Sequence, residues 1–390
     1  MFWLYNLLIL LSIPFFPVIK LKSRKRGNIF LKNRLSSFIP PEATGKILLH
    51  AASIGEINTC KPLIEKLKNN ITITTFTDYG LSRAQKLFPD IPSRIIPLDF
   101  YPLTKSFLKK GKFKKILIFE TEIWLSLLKS AKDLNIPVYF VSGKISEKTF
   151  KRLQKFKSFI SPLLSNAVFL AKSESDAEKA KGLGFKKVKV VGNLKFALTL
   201  PPKVPLTVKG NRKIILWGST HEGEEELAVQ THYYLKSKGI NLLTIIAPRH
   251  VNRKIPTPPS KTALRSQTKT VEENVEFYVI DTIGELSSLY AYCDVAVIGG
   301  SFVKGIGGHN PVEAAAWEKP VIVGMHVESF EDVVETLQTP KIEASQISGT
   351  LKKLLSNEVE RKKLAEKIHK NYLKQKNVLE KILTAIGEGD

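Results

Sequence analysis

Short apolar runs alternate with amphipathic stretches along this chain, in two series separated by prolines, and this pattern limits the possible folds most. In the first series KILLHAAS (46–53), ITITTFT (71–77), RIIPLD (94–99), KKILIFET (114–121), PVYFVSG (137–143), AVFLAKS (167–173) and VKVVGN (188–193) read as buried strands. Helical stretches over 56–69, 80–88, up to about Leu134, and 175–182 lie between them. Short apolar runs alternating with helical stretches predict right-handed βαβ units and a parallel sheet. The segment LPPKVPLTVKG (200–210) breaks the pattern and reads as a linker. The second series then runs through KIILWGS (213–219), NLLTIIAP (241–248), FYVID (277–281), DVAVIGG (294–300) and PVIVG (320–324). Its helices are expected over 223–238, over 284–292 and from Pro311, with a Lys-rich amphipathic helix over 358–386.

The expected class is therefore α/β, with two Rossmann-like domains facing a cleft and ligand at the carboxyl ends of the strands. The boundaries read as an apolar segment and basic flank (1–34), a first domain (35–200), a linker (201–210), a second domain (211–357) and a terminal helix (358–390). The length of 390 residues suits two or three domains at roughly 150 residues each.

Residues 1–19 carry no charge, and Lys20, Lys22, Arg24, Lys25, Arg26, Lys32 and Arg34 follow without an acid before Pro41. That order is the reverse of a secretory signal, and the positive-inside rule puts the basic flank in the cytoplasm. The expectation is an uncleaved anchor on the cytoplasmic face of the inner membrane, spanning it or lying in the interface. The chain has 60 Lys+Arg against 36 Asp+Glu, a net charge of +24, which implies an anionic partner. Two cysteines exclude a disulfide scaffold, and the 43% hydrophobic composition excludes disorder and a polytopic membrane protein. No basic stripe is interleaved with aromatics, so no nucleic-acid partner is expected.

Six segments end strands with chemistry-bearing residues. AASIGE (51–56) places Glu56 at a helix start, either as a complement to the helix dipole or as a base. ETEIW (120–124) sets Glu120 and Glu122 beside Trp124, and GNLKF (192–196) carries Lys195. In GSTHEGEEE (218–226) Ser219 and Thr220 read as helix caps and the acids as dipole complements, which leaves His221 without a role. APRH (247–250) offers Arg249 to a phosphate. In GGSFVKGIGGHNPVEAAAWEKP (299–320) two glycine pairs flank a loop that feeds a helix at Asn310 and Pro311, which reads as an anion site with Glu313 toward ribose hydroxyls. No Walker loop, serine-hydrolase elbow or HExxH is present, no metal cluster is evident, and no cofactor is expected.

In this order the six segments resemble the 3-deoxy-D-manno-octulosonic acid (Kdo) transferases of lipopolysaccharide synthesis. The resemblance implies a GT-B glycosyltransferase that inverts configuration, anchored by its N-terminal segment. CMP-Kdo would be the donor, a phosphorylated lipid A precursor (lipid IVA) the acceptor, and anionic membrane lipid a partner. It implies Glu56 as the base, and Glu120 and Lys195 as transition-state stabilisers. It implies CMP contacts at Pro248 and Arg249, at Ile283, Gly284 and Glu285, and at Asn310, Pro311, Val312 and Glu313. The chain departs from the family with Leu125 after the Trp of ETEIW, usually Pro, and with Ile283 where Met is common. The competing expectations are another GT-B enzyme using a UDP-sugar, or a non-catalytic membrane-bound nucleotide-binding protein.

Overall fold

In the computed structural model, residues 1–12, 34–251, 253 and 255–389 are described, so most of the basic flank and residues 13–19 of the apolar run lie outside them. The chain forms two compact units, Met1–Ala197 with Asn377–Asp390, and Leu198–Lys376.

The first unit holds seven parallel strands: β1 (Ile47–His50), β2 (Ile71–Thr75), β3 (Ser93–Ile95), β4 (Lys115–Phe119), β5 (Val138–Gly143), β6 (Val168–Ala171) and β7 (Lys187–Val190). Their order is β3-β2-β1-β4-β5-β6-β7, so the chain reverses its direction of travel across the sheet between β1 and β4. Every residue of β1 and β2 is buried, as the continuous apolar runs require. The crevice at such a reversal is where ligands bind in open parallel sheets.

Helix α1 (Phe2–Ser12) does not project away from this unit. Asn6 is buried, and its side-chain oxygen accepts from the Tyr101 N–H at 2.7 Å and from Ser126 Oγ at 3.2 Å. The Tyr5 hydroxyl donates to Asp99 at 2.7 Å. Asp99 also accepts from the Ser126 and Leu127 N–H groups, satisfying two open donors at the start of a helix, Leu125–Asp133. At 11 residues α1 spans only about 16 Å, near half a hydrocarbon core. Among the described residues no helix is long and apolar enough to cross a membrane.

Helix α2 (Ile54–Leu67) follows β1 and packs its buried Ile57, Cys60, Leu63 and Ile64 into one core. That core also contains Val378, Ile382, Leu383 and Ile386 of the last helix, Val378–Ile386. The amphipathic segment expected as one helix over 358–386 is in fact two, Glu358–Gln375 and Val378–Ile386, and the break at Asn377 sends them to different units. Lys115 Nζ fixes the terminal helix by donating to the Ile386 carbonyl at 2.6 Å and to Glu388 at 2.7 Å.

In the second unit β8 (Thr207–Val208) pairs with β12 (Thr270–Val271). A six-stranded parallel sheet is built from β9 (Lys213–Thr220), β10 (Leu242–Pro248), β11 (Thr262–Leu264), β13 (Phe277–Val279), β14 (Val295–Ile298) and β15 (Val321–Val323). Its order is β11-β13-β10-β9-β14-β15, which reverses between β9 and β14. Edge strand β11 was not expected, because three residues after PTPPS give no apolar run to read.

Candidate active site

In the first unit the reversal between β1 and β4 gathers acids. Ser53 caps α2, its hydroxyl accepting from the Glu56 N–H. Glu56 returns the contact, accepting from the Ala52 N–H at 2.7 Å and from Ser53 Oγ at 3.1 Å, so the carboxylate and the cap hold each other. The carboxylate therefore does complement the helix start, yet its surroundings also suit a base. Burial, followed by the nearby Glu122 and Glu120 charges, pushes its pKa up to about 7 against the two hydrogen bonds that pull it down.

Glu120 leaves β4 in a left-handed conformation, φ 55°, where a residue other than glycine is strained. Its cation is Lys172 at the end of β6, 3.4 Å away and 8% exposed. The lysine singled out in GNLKF is Lys195. That residue lies half-buried on the short 3-10 turn Leu194–Phe196 after β7, beneath an Asn193 side chain that accepts from its N–H. Glu122 accepts from Nε2 of His50 at 2.8 Å and from the Trp124 indole at 3.2 Å. His50 ends β1 with Nδ1 3.1 Å from the Thr74 hydroxyl. Sequence reading missed His50 and Lys172. Each is a polar residue closing an otherwise apolar strand run, a signal visible in KILLH and VFLAK.

In the second unit the reversal between β9 and β14 carries the glycine-rich loop. Ser219 and Thr220 are not helix caps: β9 continues through Thr220, and the helix α3 (Glu224–Ser237) starts at Gly223. The acids do more than complement a dipole. Glu224 is 1% exposed and accepts from the N–H groups of Gly300 (2.7 Å), Phe302 (3.0 Å) and His221 (2.9 Å). One carboxylate thus ties the turn after β9 to the loop after β14. Burial still pushes its pKa up, against the hydrogen bonds that lower it. Glu225, fully buried, accepts from Thr220 Oγ1 and from Arg253 at 3.2 Å.

A side chain at Gly299 would meet the Ser219 carbonyl oxygen at 2.6 Å and Thr220 Cα at 2.7 Å, both backbone. Gly299→Ala should therefore separate β9 from the loop and destabilise the protein by about 3 kcal/mol. Thermal denaturation measures this, and an unchanged melting temperature would contradict it.

His221 now has a partner. Its Nε2 lies 2.8 Å from Nε2 of His309, with the rings parallel within 9°. Burial, followed by the neighbouring cations, pushes His309 down to about 4 and lowers His221. His309 is therefore neutral at pH 7 and His221 is biased the same way, and the positive charge beside them comes from exposed Arg249 and from Arg253.

Asn310 accepts from the Val312 N–H at 3.1 Å, and Pro311 precedes the helix Val312–Ala316. That helix has only five residues, so its dipole is small and the loop N–H groups must supply most of any anion binding. Glu313 has its pKa raised by burial, and its carboxyl makes no hydrogen bond or ion pair among the described residues. Glu285 is held by Arg265 at 2.6 Å and by the Thr282 hydroxyl, while Ile283 beside it is 86% exposed and Gly284 has φ 94°. Pro248 closes β10, buried, with Arg249 next to it.

Residues 28–198 match the model of the 3-deoxy-D-manno-octulosonic-acid transferase family, and residues 258–371 match glycosyl transferases group 1. A 3-deoxy-D-manno-octulosonic acid transferase of Aquifex aeolicus is 33% identical over 317 residues, 78% of this chain and 84% of that protein. The enzyme of the same name from Haemophilus influenzae is 29% identical over 372 residues, 88% of this chain and 86% of that protein. A bifunctional glycosyltransferase/methyltransferase of Fusobacterium nucleatum is 32% identical over 87% of this chain, which spans 56% of that protein. In fold, the UDP-GlcNAc 2-epimerase of Neisseria meningitidis superposes with TM-score 0.56 at 16% identity, covering 88% of this chain and all of that one. Two Rossmann-like units with this neighbour place the fold in the GT-B class.

Proposed function

The chain belongs to the family of 3-deoxy-D-manno-octulosonic-acid (Kdo) transferases, and from that premise we propose that it moves Kdo from CMP-Kdo to the lipid A precursor, lipid IVA, with inversion at the anomeric carbon. It is a glycosyltransferase of lipopolysaccharide synthesis. The observation that carries the proposed chemistry is the partly buried carboxyl of Glu56, poised near neutrality at the carboxyl end of a parallel sheet.

In the proposed reaction Glu56 takes the proton of an acceptor sugar hydroxyl while that oxygen attacks the anomeric carbon of Kdo. The bond from that carbon to the CMP phosphate oxygen breaks, and CMP leaves with the electron pair. Glu120, fixed by Lys172, and Lys195 supply charge near the reacting groups of the acceptor unit. Arg249 and other N–H groups of the glycine loop, whose start Glu224 anchors through Gly300 and Phe302, receive the phosphate. Glu313, whose carboxyl makes no hydrogen bond or ion pair among the described residues, accepts from ribose hydroxyls.

A base with a pKa near 7 gives a definite pH dependence. It acts only when ionised, so kcat/KM should fall about tenfold per pH unit below 7 and level off above it. A profile flat from pH 5 to 8 would remove Glu56 from the role. Donor choice is tested by thermal unfolding: CMP should raise the melting temperature and UDP at equal concentration should not. Protection by UDP alone would favour a UDP-sugar enzyme.

Localisation is proposed on the outer face of α1. Trp3, Leu7, Leu10 and Leu11 are exposed on an apolar helix whose other side is docked through Asn6. With the basic run that follows in sequence, this supports interfacial attachment at the cytoplasmic face of the inner membrane. Vesicles with anionic lipid should pull the protein down, and Leu7→Asp with Leu11→Asp should weaken this about tenfold. Equal recovery of variant and parent would contradict it.

A further inference from the structure

An apolar groove of about 350 Å³ runs along α1 in the first unit, lined by Leu4, Leu8, Ile123, Leu125, Leu153 and Phe156 among others. It lies between α1 and a pair of helices, α4 (Glu147–Gln154) and α5 (Lys157–Leu164). The helix repeat separates three stripes on α1: Asn6 faces the protein, Trp3, Leu7 and Leu10 face outward, and Leu4 and Leu8 line the groove. Leu4 (57%), Leu8 (59%) and Phe156 (47%) are large apolar side chains left uncovered. The polar atoms nearest this face are already used: the Tyr5 hydroxyl binds Asp99, and Asn6 binds Tyr101 and Ser126. The occupant of such a groove makes no hydrogen bonds there, which describes hydrocarbon.

Two further observations say what kind of hydrocarbon. Lys148, Lys151, Arg152, Lys155 and Lys157 are all exposed, next to or within a few residues of the groove-lining Leu153 and Phe156. The one acid on α4, Glu147, is already paired with Lys179 at 2.7 Å. The segment that supplies Leu153 and Phe156 to the groove is therefore cationic and suited to a phosphate. The groove is also joined to the candidate active site through one short loop. Ile123 and Leu125 line it, while Glu120 and Glu122 of the same loop face Lys172 and His50. A molecule with its sugar at the acids and a tail across this loop would enter the groove.

We propose that this groove holds one fatty acyl chain of the phosphorylated glycolipid acceptor, with the cations of α4 and the α4–α5 turn on its phosphate. The proposal rests on the acceptor reading above and adds the subsite that distinguishes the acylated acceptor from its bare sugar. It is tested with the full-length protein and lipid IVA carrying a photoreactive diazirine on one acyl chain. Irradiation and peptide mapping should place adducts within 1–12, 123–125 and 153–160. Unlabelled lipid IVA should suppress them, and phosphatidylglycerol of matched chain length should not.

Phe156→Asp and Leu8→Asp alter exposed positions, so both should melt like the parent. Each should cut the adduct yield and raise the acceptor KM about tenfold while the donor KM stays put. Adducts mapping elsewhere, equal suppression by phosphatidylglycerol, or an unchanged acceptor KM in both variants would overturn the proposal. If the protein transfers nothing to lipid IVA, the acceptor reading fails instead, and the adduct map still reports what the groove binds.

Discussion

Glu56→Gln should lower kcat by about 10²–10⁴-fold, leave CMP protection unchanged, and make the protein more stable at pH 8. The loss of rate is expected from removing the proposed base. The gain in stability follows from the same burial that tunes it. A carboxyl whose pKa is raised from 4.5 to about 7 keeps its proton longer in the folded state than in the unfolded one. Folded stability therefore declines as pH rises through that window, and above pH 7 the parent carries the full cost of an ionised, partly buried carboxylate. Gln has no such cost and keeps an oxygen for the Ala52 N–H, so the variant should gain about 2 kcal/mol at pH 8, after allowance for solvent screening at a partly exposed group. At pH 4 the advantage should vanish. Melting curves at the two pH values check the sign, and a less stable variant at pH 8 would show that the capping role outweighs the charge.

Glu224→Ala should cause the largest loss in the second unit. It strands three N–H groups, one buried at Gly300 and two partly buried at Phe302 and His221, each costing about 1–3 kcal/mol with the partly buried ones at the low end, so the sum is roughly 4 kcal/mol. Donor affinity should fall about 100-fold, because the loop that presents N–H groups to phosphate loses the anchor that shapes it. Glu224→Gln is the instructive companion. Oε2 accepts from His221 and Gly300 and Oε1 from Phe302, so an amide can satisfy one side and sets N–H against N–H on the other. Its defect should fall between the parent and Ala. Calorimetry with CMP titration measures both effects, and a Glu224→Ala protein that binds CMP as the parent does would show the loop holds its shape without the carboxylate.

How far these features could be read from sequence differs by element, for physical reasons. The five inner strands of the first sheet and five of the second were legible because parallel strands buried on both faces leave continuous apolar runs, whereas edge strands β3 and β7 are partly exposed and were legible from shorter apolar stretches. Glu56, Glu120, Arg249 and the glycine loop were legible because they end those runs, and a parallel sheet puts all its carboxyl ends on one edge. The docking of α1 was not. A single Asn in an apolar helix reads as tolerated polarity, and only the fold shows Tyr101 and Ser126 around it. Glu224 was obscured by its neighbours, since three acids at a helix start already have an electrostatic explanation. The His221–His309 contact spans 88 residues and leaves no local trace. The break at Asn377 was hidden because the amphipathic spacing continues across it into a helix of the other unit.

The central claim is Kdo transfer driven by Glu56, and the mass of the product tests it most directly. With CMP-Kdo and lipid IVA the acceptor should gain one or more Kdo residues as CMP is released. Neither UDP-GlcNAc with the parent nor CMP-Kdo with Glu56→Gln should give comparable product. An acceptor of unchanged mass while CMP demonstrably protects the folded protein, or product from Glu56→Gln at the parent's rate, would contradict the account.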